Sequence, residues 1–190
     1  MEKIRFFVAL EIPEENKPQF LAIQEQLKSL IPSEHLVVED QLHLTLAFIG
    51  EQEATLQDSL VQILQKATAN IPQFSVTPGY LDGFPNIHHP EVLWVGVKGD
   101  IDKVLLIRER IKDGLGNLQL AVDERRFIPH ITVGKIKNGF LVSQELEAKL
   151  QEFMEQGNFT PINITSIKLF ASVPEGGLHK HNTLAEIKLI

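Results

Sequence analysis

The chain has 190 residues, of which 43% are hydrophobic and 23% charged, a balance that fits one compact globular domain and excludes a wholly disordered one. No stretch approaches the roughly 20 uncharged apolar residues that a bilayer-crossing helix needs, and the complete lack of cysteine excludes disulfides, thiolate metal sites and cysteine nucleophiles while fitting a reducing, cytosolic address. The net charge of −7 repels polyanions, so a long duplex nucleic acid is not an expected partner.

Phe6 to Ile12 is an apolar strand candidate, ended by Glu11 and Pro13 before it can serve as the hydrophobic region of a signal peptide. Pro13, Glu14 and Glu15 favour a helix start, and Phe20, Ile23, Leu27, Leu30 and Ile31 recur at the three- and four-residue steps of one buried stripe, which Pro32 stops. Leu36 to Val38 and Leu42 to Phe48 read as strands, Leu56, Leu60, Ile63, Leu64 and Ala67 as an amphipathic helix, and Phe74 to Thr77 and Val92 to Val97 as strands again. The second half replays the order, with helices over Ile101 to Leu115 and Gln144 to Met154, and strands over Ile131 to Ile136, Ile164 to Ser172 and Leu184 to Leu189. Turn chemistry marks the segments Asp82 to Asn86 and Val173 to Gly177 as loops, neither of them a linker. Residues 1–190 are therefore expected to form a single domain of two interleaved, like lobes, and to act as a monomer.

Two segments carry the chemistry: His43-Leu44-Thr45-Leu46-Ala47-Phe48 and His130-Ile131-Thr132-Val133-Gly134-Lys135, whose histidines lie 87 residues apart (130 less 43). The same offset aligns the opening strand with Val95 to Lys98, and the helix from Leu56 with that from Ser143. In a strand, alternate side chains face opposite ways, so Leu44, Leu46, Ile131 and Val133 enter a core while His43, Thr45, His130 and Thr132 share the open face. Composition predicts roughly 0.3 His-x-Thr matches in such a chain, so two at equivalent points of a repeat carry information that one would not. An unperturbed imidazole titrates near ~6.5, which suits one to remove a proton and the other to donate one, with the threonine hydroxyls holding phosphate oxygens between them.

These segments, together with Arg5-Phe6-Phe7-Val8-Ala9-Leu10, Phe48 and Gly50 after the first motif, Leu93-Trp94-Val95-Gly96-Val97, and Arg126-Phe127-Ile128-Pro129 before the second, resemble the 2H phosphoesterase superfamily, most closely its RNA 2′,3′-cyclic phosphodiesterase (2′-5′ RNA ligase) branch. The resemblance implies an α+β fold, bilobal and pseudo-duplicated, in which two antiparallel sheets line a central cleft with helices outside. It implies metal-independent hydrolysis of RNA 2′,3′-cyclic phosphate ends, or of nucleoside 2′,3′-cyclic phosphates, to 2′-phosphates, with His43 as general acid, His130 as general base, and Thr45 and Thr132 on the phosphate. Two positions depart from the family's pattern: Lys135 stands where arginine is common, and His181 where tyrosine is common, which puts base stacking there in question.

Arg126 and Lys135 are the expected electrostatic support for the phosphate, and Arg125 is a further candidate on the same rim. Phe48 is a candidate base-stacking wall, although its parity with Leu44 and Leu46 favours the core. The pairs His88-His89 and His179-x-His181 lack an acidic partner at metal spacing, so neither a metal nor any other cofactor is expected, and His179 or His181 is placed near the cleft rim. Two alternatives stay open: the reverse reaction, joining RNA ends through a 2′-5′ linkage, and a non-catalytic module that binds a nucleotide or RNA end in the same cleft.

Overall fold

The computed structural model describes residues 2–28, 31–121, 126–136, 141–175 and 178–190. Its strands are β1 (Lys3–Glu11), β2 (His43–Glu53), β3 (Phe74–Phe84), β4 (Val92–Gly99), β5 (His130–Lys135), β6 (Ile162–Ile164), β7 (Ser166–Glu175) and β8 (Leu178–Lys188). Among the described residues four α-helices, α1 (Lys17–Leu27), α2 (Gln57–Thr68), α3 (Ile101–Asn117) and α4 (Gln144–Gln156), are interspersed with them. Among the described residues no helix is long and apolar enough to cross a membrane.

All recorded strand pairings are antiparallel, and the sheet order is β6-β3-β4-β5-β2-β1-β7-β8. The two histidine-bearing strands, β5 and β2, are the central neighbours. Their recorded pairing is one residue pair, Leu44 with Ile131, so the two sheets expected from the sequence are four-stranded halves of one curled sheet. Chain order and space order differ between halves. β3 follows the first histidine motif yet pairs with β4 and β6, whereas β7, from the carboxyl-terminal part, pairs with β1.

The faces of the sheet divide by strand parity. Phe6, Val8 and Leu10 of β1 join Leu44 and Leu46 of β2, Leu93 and Val95 of β4, and Ile131 and Val133 of β5 in the main core. The helices cover that face with Phe20, Ile23 and Leu27, with Leu60 and Leu64, with Val104, Ile107 and Ile111, and with Leu150 and Met154. Each of these is one apolar stripe at helical spacing, buried against the sheet. Phe7 and Ala9, the alternate residues of β1, point the other way and form a small second cluster with Phe170.

Four expectations of secondary structure change, the first being that Val173 to Glu175, read as part of a loop, continue β7 and pair with β8. Leu36 to Val38 is not a strand but lies between single turns of 3₁₀ helix at Ser33–His35 and Glu39–Gln41. Leu36 makes one bridge to Gly134, and the buried amide of Gln24 holds the segment by donating to the carbonyls of Val37 and Val133 at 2.7 and 2.9 Å. Asp82 to Phe84 continue β3 instead of turning, because Phe84 stacks on Trp94 with ring centroids 4.9 Å apart. β8 begins at Leu178, six residues before the expected start, because residues 178 to 183 pair with β7 although their composition is polar.

Leu44 is 1% exposed and forms one side of the join between halves. Leu44→Ala is expected to destabilise the protein by about 2–5 kcal/mol, the usual cost of such a core truncation, read as a lower urea midpoint with an unchanged slope.

Candidate functional site

Leu44 and Ile131 face each other and both enter the core. Their neighbours along each strand must then project from the opposite face. The antiparallel register sets His43 toward Thr132 and His130 toward Thr45, and all four are partly buried on the cleft side. The cleft has two adjoining chambers. One, of about 360 Å³, holds His43 and Thr45; the other, of about 920 Å³, holds His130; both are lined by Thr132 and Lys135. Among the described residues the two threonine hydroxyls make no side-chain hydrogen bond, which leaves their donors available to a ligand.

Each ring is fixed by the same device. His43 Nδ1 lies 2.7 Å from the carbonyl of Gln41, and His130 Nδ1 lies 2.7 Å from the carbonyl of Ile128. A carbonyl only accepts, so both Nδ1 atoms carry hydrogen and both Nε2 atoms are left for chemistry. Each ring also rests on an aromatic pair. His43 lies 5.2 Å from Phe7, which stacks on Phe170 at 5.0 Å, and His130 lies 5.3 Å from Trp94, which stacks on Phe84.

Burial and nearby cations disfavour a charged imidazole here. Desolvation first, then His181, with Lys135 and His130 adding, push His43 down to about 4 against the opposing pull of the Gln41 carbonyl. His130 is lowered by burial, with the Ile128 carbonyl opposing. His181 is lowered by burial, Lys135 and His179.

Beyond the four motif residues, Lys135 is exposed and lines both chambers, and Arg126 is exposed in the His130 chamber. Arg125 lies outside the described residues. His181 contacts His43 edge-to-face at 5.2 Å and Phe7 at 4.8 Å, within the His43 chamber, and His179 lines the same chamber. Phe48 corrects the parity expectation: it is 53% exposed and lines that chamber instead of entering the core. The register of β2 against β1 shifts between Val8 and Ala9, so β2 carries an extra residue between Thr45 and Ala47, and the bulge turns Phe48 to the cleft. His88 and His89 are exposed and elsewhere, with Asn86 Oδ1 accepting both backbone N–H groups and His88 Nδ1 3.4 Å from Glu147. Among the described residues no group of three or more His, Asp or Glu side chains is placed to hold a metal.

Sequence reasoning missed several cleft residues. Arg5, Phe7, Gln41 and Ser172 line the His43 chamber. Phe84, Phe127 and the buried Arg108 line the other, with the Arg108 guanidinium 5.5 Å from the Phe127 ring. The one usable signal was the offset of 87 residues, which aligns Phe7 with Trp94, the two floor aromatics.

The chain belongs to the 2′-5′ RNA ligase superfamily, whose model matches residues 13–169. It is 28% identical over 181 residues to an RNA 2′,3′-cyclic phosphodiesterase of Thermotoga maritima, covering 93% of this chain and 92% of that one. It is likewise 28% identical over 180 residues to one of Methanocaldococcus jannaschii, covering 93% and 97%. In fold it is similar to the crystal structure of a Thermus thermophilus protein, with a TM-score of 0.76 at 19% identity over 98% of both chains. It is similar also to E. coli LigT in complex with 3′-AMP, with a TM-score of 0.72 at 23% identity over 99% of both.

The folded state holds His43 neutral where an unfolded chain would protonate it. Its contribution is therefore complete above about pH 6.5 and is lost as pH falls toward 4. Urea midpoints are expected to drop across that window by the equivalent of at most about 3 kcal/mol for this residue, and to drop less in His43→Gln.

Proposed function

We propose that this chain hydrolyses the 2′,3′-cyclic phosphate at an RNA end to a 2′-phosphate, with His43 as general acid and His130 as general base. The observation that carries the reading is the pair of Nδ1-anchored imidazoles on one face of one cleft, each set by the strand register opposite a threonine whose hydroxyl makes no side-chain hydrogen bond among the described residues. Curated relatives matching over nine-tenths of the chain are RNA 2′,3′-cyclic phosphodiesterases, which supports the same chemistry.

In the proposed step His130 Nε2 takes a proton from water as the oxygen bonds to phosphorus. The bond from phosphorus to O3′ breaks, and the proton on His43 Nε2 passes to O3′, leaving the phosphate on O2′. Thr45 and Thr132 donate to the non-bridging oxygens, while Lys135 and Arg126 offset the charge that develops there. His43 is held neutral in the free cleft, so the bound anion has a second task. Its negative charge offsets the neighbouring cations and raises His43 toward the protonated form that the acid role requires. Both imidazoles come from one chain, so the site needs no second copy; we take the monomer as the working unit and the cytosol as its location.

His43→Ala and His130→Ala are each expected to lower kcat/KM for a nucleoside 2′,3′-cyclic phosphate by about 10²- to 10⁴-fold, with an unchanged circular dichroism spectrum. Full activity in either variant overturns the roles. The product is expected to be the 2′-monophosphate by chromatography, and EDTA to leave the rate unchanged. Loss of activity in EDTA, restored by added zinc, would replace this mechanism with a metal-dependent one.

A further inference from the structure

We propose that Arg5, Ser172 and His179 form a second phosphate subsite that receives the phosphodiester one nucleotide upstream of the cyclic end, so that the preferred substrate is an RNA chain and not a free mononucleotide. The proposal rests on the hydrolytic reading above and extends it to substrate class.

These three residues lie on β1, β7 and β8, apart from the motif strands, and they border two spaces. They line the His43 chamber, and they also line a groove of about 610 Å³ that runs on past Lys3, Gly50 and Pro174. The cleft thus continues from the His130 chamber through the His43 chamber to this groove, the outline of an extended ligand.

Charge selects what binds at the border. In a chain of net charge −7, the described lining of the His43 chamber holds Arg5 and Lys135, with His179 and His181, and no carboxylate. Farther out the groove brings Glu2 and Glu51 alongside Lys3, so an anion is favoured at the border and not beyond it. Arg5 pairs in register with Glu51 across β1 and β2, yet among the described residues it makes no ion pair. Its guanidinium instead lies 5.2 Å from the centroid of the exposed Phe48 ring. His179 Nδ1 and Ser172 Oγ are 3.0 Å apart, which places a hydroxyl and an imidazole side by side next to that guanidinium.

A guanidinium fork, a hydroxyl and an imidazole match the oxygens of a phosphodiester. An aromatic face beside the cation matches a stacked base, as in sites that follow a single strand. The cyclic phosphate is already assigned the four motif residues with Lys135 and Arg126, which leaves this cluster for a different one.

The test compares three substrates: a nucleoside 2′,3′-cyclic phosphate, the same compound carrying a 5′-phosphate, and a dinucleotide ending in that cyclic nucleotide. The wild-type protein is expected to favour the two larger compounds in kcat/KM by about tenfold, as one charged hydrogen-bonding contact provides. Arg5→Ala and His179→Ala are each expected to shrink that preference. No preference in the wild type, or one that survives both substitutions, overturns the subsite. So does an equal loss on all three substrates, which would place Arg5 on the cyclic phosphate. A gain for the 5′-monophosphate alone overturns the assignment to an RNA chain. If the wild type turns over none of the three, the hydrolytic reading is what fails. The subsite is then decided by calorimetric affinity for the dinucleotide against the mononucleotide in wild type and Arg5→Ala, where equal ratios overturn it.

Discussion

The contact between Leu44 and Ile131 is the constraint on which the site depends. It is a single antiparallel pair at the middle of an eight-stranded sheet, and it joins strands whose other partners lie in different halves. Because both side chains enter the core, strand alternation leaves no choice for His43, Thr45, His130 and Thr132, which emerge together on the far face. A slip of one residue in either strand would bury one histidine and expose aliphatic side chains to the cleft. The energy that prevents such a slip is apolar burial by the helices on the other side of the sheet. The position of the proposed catalytic pair is thus set by residues on the opposite, core face of the sheet.

The same arrangement explains how an acidic protein can hold an anion. The described lining of the His43 chamber has cations, imidazoles, hydroxyls and no carboxylate, while in the His130 chamber Glu91 stands with Arg108, Arg126 and Lys135. Low solvent access strengthens each of these interactions, so burial drives both imidazoles toward neutrality in the free protein, and neighbouring positive charge adds to this at His43. A phosphate entering the cleft brings the missing negative charge. Binding and proton placement are therefore one event, because the ligand that needs a protonated imidazole also stabilises it.

Much of this was legible from sequence. Helical stripes such as Leu60, Ile63, Leu64 and Ala67 are long enough for their period to be unambiguous, and the 87-residue offset places Gln57 and Gln144 at the starts of α2 and α4. The His-x-Thr parity also held, since Leu44 and Ile131 are core and their neighbours are not. Phe48 was not legible. Its side follows from a bulge, and an extra residue in one strand leaves no mark in a sequence read without its partner strand. The early start of β8 was hidden for a related reason: His179, Lys180, Asn182 and Thr183 form an edge strand with no buried face to impose alternation. Arg5 and Ser172 lie far from both motifs in sequence, and only the placement of β7 beside β1 brings them together.

The departures from internal symmetry give the two histidines different surroundings. The repeat supplies each with the same Nδ1 anchor and the same kind of aromatic floor, so nothing in the shared frame distinguishes an acid from a base. The neighbours do. At equivalent positions five residues past each histidine stand Phe48 and Lys135, and β8 lays His181 against His43. His43 is held down by burial, His181, Lys135 and His130, whereas His130 is held down by burial alone. An arriving anion favours the charged form of either ring it approaches, and at His43 it also meets positively charged neighbours that do not act on His130. The proposed roles, with water activated on the His130 side and O3′ leaving toward His43, therefore sit in unlike surroundings on a shared frame.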